Sequence, residues 1–259
     1  MFDAGRLLRS GAVMALSMTV PALSVAGVLG AKPLGAESVA AEPLSATPLN
    51  EELLAQMARA APGLDHEVLT RAFHASRCAI QGGLERPERL AVIDFSLPSS
   101  HERLWIFDLS KGDLMLRDLV AHGKNSGNFE STAFSNIEGS HQSSLGLFRG
   151  SESYYGKHGY SLRLDGLEPG INDRARQRAI VIHGADYVNE SWVNKYGRIG
   201  RSHGCPAVDN HVVEQVVDNL KGGQLVFKYY PDQEWLRRSE YLNCGQGTVA
   251  SQDNGAYQG

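Results

Sequence analysis

Apolar and polar positions fall into three textures along the chain. From Asn50 to Gly83 the apolar residues recur at helical spacing. Leu53, Leu54, Met57 and Ala58 form one stripe, and Val68, Leu69, Ala72 and Phe73 a second. Asn50 and Asp65 stand where N-caps belong, "APGLD" separates the stripes, and Gly82-Gly83 ends the second. The pattern predicts two packed helices over 50–83. From Arg89 the texture changes to short apolar, β-branched runs broken by turn signals: "RLAVIDFS", "RLWIFDLS", "DLMLRDLVAHG", "SSLGLFRG", "YSLRLDGL", "RAIVIHGA" and "QLVFKYY". Such closely spaced strands predict a mainly β fold, an antiparallel sandwich or barrel. One late helix interrupts them, with Val212, Val213, Val216, Val217 and Leu220 on one face.

The third texture is N-terminal. Arg6 and Arg9 precede an uncharged, largely apolar run from Ser10 to Ala31, followed by the small-residue stretch "LGAESVAAEP". That order describes a secretory signal over residues 1–40, with cleavage after Ala40 among the sites it allows. An uncleaved membrane anchor is the other reading, because the run is nearly long enough to span a bilayer. Pro21 and the glycines that close the run argue against it. Pro33, Pro43 and Pro48 lie among small residues, so 41–49 reads as a linker. Residues 231–259 read as a C-terminal tail.

Composition changes the picture in two ways. A net charge of −4 on 259 residues gives no electrostatic case for nucleic acid. Export implies an oxidising compartment, in the periplasm or cell envelope, and three cysteines then leave one unpaired. Cys78 and Cys244 can bridge and leave Cys205 free, or all three can be thiols.

The chemistry concentrates in "IHGADYVNESWVNKYGRIGRSHGCPAV". A cysteine attacks as thiolate, so it needs a base or a positive field nearby. His183 closes the apolar run "AIVI", where a strand end would hold an imidazole rigidly. His203 lies two residues from Cys205. Gly204 permits backbone torsions closed to other residues and a close approach of substrate. Pro206 has no N–H, so an oxyanion would have to be met by the N–H of Cys205, that of Gly204, or a group from elsewhere. A zinc site of His183, His203 and Cys205, a disulfide, and an inert buried thiol are the competing readings. The ligand spacing matches no common zinc pattern.

Ser202-His203-Gly204-Cys205, with His183-Gly184 upstream on a strand, resembles the signature of the YkuD-type L,D-transpeptidases. "VAHGKNSG" followed by "SSLGLF" is similar to the elements ahead of that family's catalytic loop, and the whole set is closest to its murein L,D-transpeptidase catalytic-domain branch. The resemblance covers about residues 89–230. It implies a β-rich domain that transfers acyl groups through a cysteine thioester, with peptidoglycan stem peptides as partner and no metal or organic cofactor. It implies Cys205 as nucleophile, His183 as base, the Gly184 carbonyl orienting the imidazole, and His203 and Gly204 shaping the loop and oxyanion hole. Ser202, Arg201, Arg198, Lys124 and His122 would contact substrate; His141 is a further histidine in a matching segment.

Two departures stand out. The interval between His183 and Ser202 holds 18 residues, slightly longer than the common pattern, and Pro206-Ala207 replace the usual residues after the cysteine. With water as acceptor the same site would be an L,D-carboxypeptidase. A peptidoglycan-binding protein without chemistry would leave Cys205 unreactive, and a cysteine protease of another kind would cleave ordinary L-peptides. Oligomeric state is not legible.

Overall fold

The computed structural model describes residues 48–245. The expected signal, nearly all of the linker and the end of the tail lie outside that span. No helix among the described residues is long and apolar enough to cross a membrane.

The two N-terminal helices form where the stripes place them. Helix α1 (Glu51–Ala60) is capped by the Asn50 side chain, which accepts from the Leu53 N–H. Helix α2 (His66–Gln81) is capped by Asp65, which accepts from Glu67 and Val68. Each cap satisfies N–H groups that the first turn leaves without helical partners. Leu53, Leu54 and Met57 of α1 and Val68, Leu69, Ala72 and Phe73 of α2 belong to the same buried cluster as the sheet. Burial of each such large side chain contributes roughly 1.5–3 kcal/mol. The helical pair therefore shares one core with the strands.

Eight strands follow: β1 (Arg89–Asp94), β2 (Leu104–Asp108), β3 (Asp113–Asp118), β4 (Gly146–Gly156), β5 (Gly159–Gly166), β6 (Val181–Gly184), β7 (Ala207–Val208) and β8 (Leu225–Tyr229). They form one sheet in the order β3-β2-β1-β8-β4-β5-β6-β7. The fold is mainly β and the sheet antiparallel over most of its joints, as expected, but β1 pairs with β8 and β6 with β7 in parallel. A second feature brings the sheet edges together. The chain leaving β3 runs along β7, where Ala121 bridges Ala207 and Gly123 bridges Ser202. The edges at β3 and β7 thus meet through residues 121–123, and the sheet is nearly a barrel.

Three further helices complete the unit. Helix α4 (Val213–Leu220) is the late helix that the sequence predicts, and it buries Val213, Val216, Val217 and Leu220. Helix α3 (Glu190–Tyr196) lies in the 18-residue interval between His183 and Ser202, capped by Asn189 and closed by Gly197 at φ 71°. Helix α5 (Gln233–Arg238) lies in the expected tail. Its Trp235 is buried and donates through Nε1 to Glu168 Oε2 at 3.2 Å, so the tail is anchored at least that far. A disulfide between Cys78 and Cys244 ties the described C-terminus to α2 and leaves Cys205 as the free thiol.

Candidate functional site

The β6–β7 joint positions the candidate nucleophile and base. His183 pairs with Ala207 in parallel register. Cys205 lies two residues before Ala207, level with Val181, whose N–H reaches Sγ at 3.5 Å. A two-residue step along a strand is about 6.6 Å, which places the thiol one step before the imidazole. Sγ also contacts the Ala179 carbonyl at 3.7 Å, and no hydrogen bond joins it to His183 in this resting geometry. Catalytic hydrogen bonds are commonly long before substrate binds.

His183 is buried and donates from Nδ1 to the Gly184 carbonyl at 2.8 Å. A carbonyl only accepts, so the proton sits on Nδ1 and Nε2 is free to take another. A Cβ on Gly184 would strike Asn210 Oδ1, which explains a glycine directly after the histidine. Burial holds the His183 pKa below the ordinary histidine value, against the opposing pull of the Gly184 carbonyl, and nearby His158 and Lys157 reinforce the lowering. The imidazole is therefore neutral at pH 7. Burial also pushes the Cys205 thiol up, partly offset by the Val181 N–H and by the cations Lys228, Arg178 and Lys157. The resting pair is a neutral thiol and a neutral imidazole.

The cysteine loop is held from both sides. Ser202 Oγ donates to the Cys205 carbonyl at 2.5 Å and accepts from the Gly204 N–H at 3.1 Å. Ser143 Oγ donates to the Gly204 carbonyl and accepts from the Gly123 N–H. Gly204 has φ 117°, and a Cβ there would lie 2.7 Å from the Gln142 carbonyl oxygen. Of the oxyanion donors considered from sequence, the Gly204 N–H is already engaged. Among the described residues the Cys205 N–H meets no acceptor. Ser202 thus acts on the loop backbone, where sequence reading had it touching substrate.

The remaining residues divide. His203 is exposed and stacks on His141 with ring centroids 4.5 Å apart. His158, which sequence reading missed, stacks on His183 at the same separation. Lys124 is exposed and adds to the positive field at His203. Arg201 instead donates to the Lys124 and Gly127 carbonyls, and Arg198 to the Ile199 carbonyl. Both arginines serve loop backbone in this geometry. His122 has no exposed surface. Its Nδ1 accepts from the buried Arg103 guanidinium at 2.7 Å and its Nε2 faces the Gly127 carbonyl at 3.3 Å. Burial first, then Arg103, pushes its pKa down to about 3. The expectation that His122 lines the cleft is thus corrected: it is a neutral anchor for the 123–127 turn.

Two cations near the thiol were not singled out from sequence. Arg178 donates to Ser144 Oγ, Ser140 Oγ and the carbonyls of Ser135 and Gln142, so it ties the 135–144 loop beside Cys205. Lys228 on β8 is fully buried, and its Nζ has no hydrogen-bond partner among the described residues.

A cleft of about 330 Å³ opens over His183 and is lined also by Lys157, His158, Tyr187 and Asn210. A larger cleft of about 750 Å³, with Glu102, Asp118, Glu190 and Asp209 in its walls, includes neither Cys205 nor His183. No zinc-type cluster involves His183, His203 and Cys205 among the described residues; the group close enough to ligate is His74 with the disulfide pair Cys78 and Cys244.

Residues 60–229 match the family model of the L,D-transpeptidase catalytic domain. No curated protein matches the chain. Among solved structures, an L,D-transpeptidase from Mycobacterium smegmatis aligns at 13% identity and TM-score 0.36, covering 55% of this chain and 59% of its own. One from Stackebrandtia nassauensis aligns at 12% identity and TM-score 0.35, covering 68% and 76%. A third, from Xylanimonas cellulosilytica, aligns at 14% identity and TM-score 0.32, covering 70% and 94%. The chain spans about three fifths of the length of the first of these. At such distances the family assignment rests on the domain match.

Proposed function

The chain belongs to the L,D-transpeptidase catalytic-domain family of acyltransferases, and from that premise we propose that it is an exported enzyme that cross-links peptidoglycan stem peptides through a thioester on Cys205. The observation that carries this reading is the β6–β7 joint. It sets a free thiol one step from a histidine whose Nδ1 is fixed on the Gly184 carbonyl and whose Nε2 is open. The Cys78–Cys244 disulfide supports export, because disulfides persist in oxidising compartments.

In the first step Nε2 of His183 takes the Sγ proton. The thiolate attacks the carbonyl carbon of the L-centre, and the Cys205 N–H stabilises the oxyanion. The C–N bond to the terminal D-residue then breaks, and the imidazolium protonates the departing amine. In the second step an amine of another stem peptide attacks the thioester. His183 accepts the amine proton, the C–S bond breaks, and the proton returns to sulfur. His183 lacks the carboxylate partner of a serine-protease triad; the Gly184 carbonyl fixes the tautomer instead. Lys124 and Lys157 are the exposed cations placed to meet substrate carboxylates, while Arg201 and Arg198 are occupied with loop carbonyls.

Intact-protein mass spectrometry after incubation with a tetrapeptide stem tests the reading. A tripeptidyl adduct on Cys205, absent from Cys205→Ala, is expected. A folded wild-type protein that releases the D-residue without ever carrying the adduct would sink the thioester.

A further inference from the structure

One cluster of metal-binding side chains lies outside the site just described. His74 and Cys78 are four residues apart on α2, so both project from the same face of the helix. His74 Nε2 lies 3.4 Å from Cys78 Sγ and 3.9 Å from Cys244 Sγ. The three ligand atoms all lie within 4.8 Å of one another, and the described residues add no fourth His, Cys, Asp or Glu donor to the group. Cys78 is buried, whereas His74 and Cys244 are half-buried, so the cluster meets solvent on one side. A disulfide needs no imidazole beside it, yet here one ring nitrogen faces both sulfurs.

The separations suit a tetrahedral zinc ion. Bonds of about 2.3 Å to sulfur and about 2.0 Å to nitrogen set S···N edges of about 3.5 Å and an S···S edge of about 3.8 Å. Both S···N edges are nearly in place, and only the S–S bond keeps the sulfurs too close together. The Cα atoms of Cys78 and Cys244 are 6.0 Å apart, so side-chain rotation alone can part the sulfurs once that bond opens. Each side of the cluster is also held without the disulfide. Helix α2 packs into the core through Val68, Leu69, Ala72 and Phe73. Ahead of Cys244, Leu242 is buried with its N–H on Ser239 Oγ, and Asn243 Nδ2 donates to the carbonyls of Leu236 and Ser239.

We propose that His74, Cys78 and Cys244 are a redox-gated zinc site: a disulfide when oxidised, and a two-cysteine, one-histidine ligand set when reduced. A dithiol supplies the two electrons that break the S–S bond and becomes a disulfide itself, and its two protons pass to Cys78 and Cys244. Zinc then displaces both thiol protons to solvent and bonds to the two thiolates, to neutral His74 Nε2 and to a water on the open side. Two thiolates balance the charge of the ion, which suits a half-buried position. Thiolate and imidazole donors favour zinc over calcium or magnesium, which take oxygen ligands. Neither Cys205 nor His183 takes part, so the site stands or falls apart from the transferase reading.

The test is an anaerobic titration of the full chain with cobalt(II), a coloured stand-in for zinc, after reduction by a phosphine that is then removed. The reduced protein should develop the thiolate-to-cobalt and visible bands of a tetrahedral site, which added zinc abolishes. The oxidised protein should develop none. Cys205→Ala should bind as wild type does, Cys244→Ser should lose the bands, and His74→Ala should bind at least about tenfold more weakly. A folded, reduced protein that takes up no cobalt would overturn the proposal, as would His74→Ala binding with unchanged affinity. A second measurement needs no variant. Zinc should raise the melting temperature of the reduced protein and leave that of the oxidised protein where it was. Equal responses in the two forms would place the ion elsewhere and overturn the assignment.

Discussion

At His122 two protein groups occupy both ring nitrogens, and the residue pays for its place in pH sensitivity. The folded protein holds this imidazole neutral down to about pH 3, whereas an unfolded chain protonates it below about 6.5. The unfolded state therefore binds more protons across that window, so stability present above 6.5 is lost as pH falls toward 3. The loss is about 1.4 kcal/mol per pH unit, or about 2 kcal/mol between pH 6.5 and 5. Asp94, Asp118 and Glu168, whose pKa values burial raises, act in the opposite direction, and they do so equally in a His122 variant. Urea unfolding at the two pH values should show His122→Gln losing about 2 kcal/mol less than wild type on acidification. An equal loss would remove His122 from the account. Cys205 and His183 were legible because their neighbours announce them: an apolar run ending in histidine, and a thiol between glycine and proline. His122 and Lys228 were not. Nothing in "AHGKNSG" marks His122 as buried, and "VFKYY" reads only as part of a strand, yet His122 and every residue of β8 are buried. Burial on both faces shows in the unbroken apolar run of Leu225, Val226 and Phe227, but nothing local marks the lysine that follows them as buried too.

Among the elements, the cysteine loop carries the tightest constraint. Gly204 sits at φ 117°, outside the range that other residues readily adopt, and its missing Cβ leaves room for the Gln142 carbonyl. Gly204→Ala should lower stability by roughly 1–3 kcal/mol. It should also slow adduct formation on Cys205, because the strain falls on the residue before the nucleophile. Thermal melts and the rate of adduct formation check the two effects, and a variant matching wild type in both would show that the loop tolerates other torsions. The long helices and most strands were legible from periodicity and caps. Helices α3 and α5 were not, since 7 and 6 residues are too few for a stripe to emerge. Their caps, Asn189, Gly197 and Asp232, were the available signal. Strand β7 has only two residues and exists because β6 and the 121–123 segment lie on either side of it.

For the described unit as a whole, closure links the parts. The β1–β8 joint pairs Leu90 with Leu225, and the Cys78–Cys244 disulfide spans 166 residues of sequence. Contacts so distant along the chain have no local signature, which is why the strand order and the two parallel joints could not be read in advance. The same closure serves the site. The chain leaving β3 lies along β7, so Ser202, Gly204 and the 123–127 turn are held by one set of hydrogen bonds around the thiol. The central claim is that this frame serves acyl transfer between stem peptides through Cys205. The most direct test is mass spectrometry of muropeptides incubated with the mature protein and with Cys205→Ala. The account predicts new cross-linked dimers with the first and none with the second. Dimers formed by folded Cys205→Ala, tripeptides without dimers, or no change with folded wild-type protein would each contradict it.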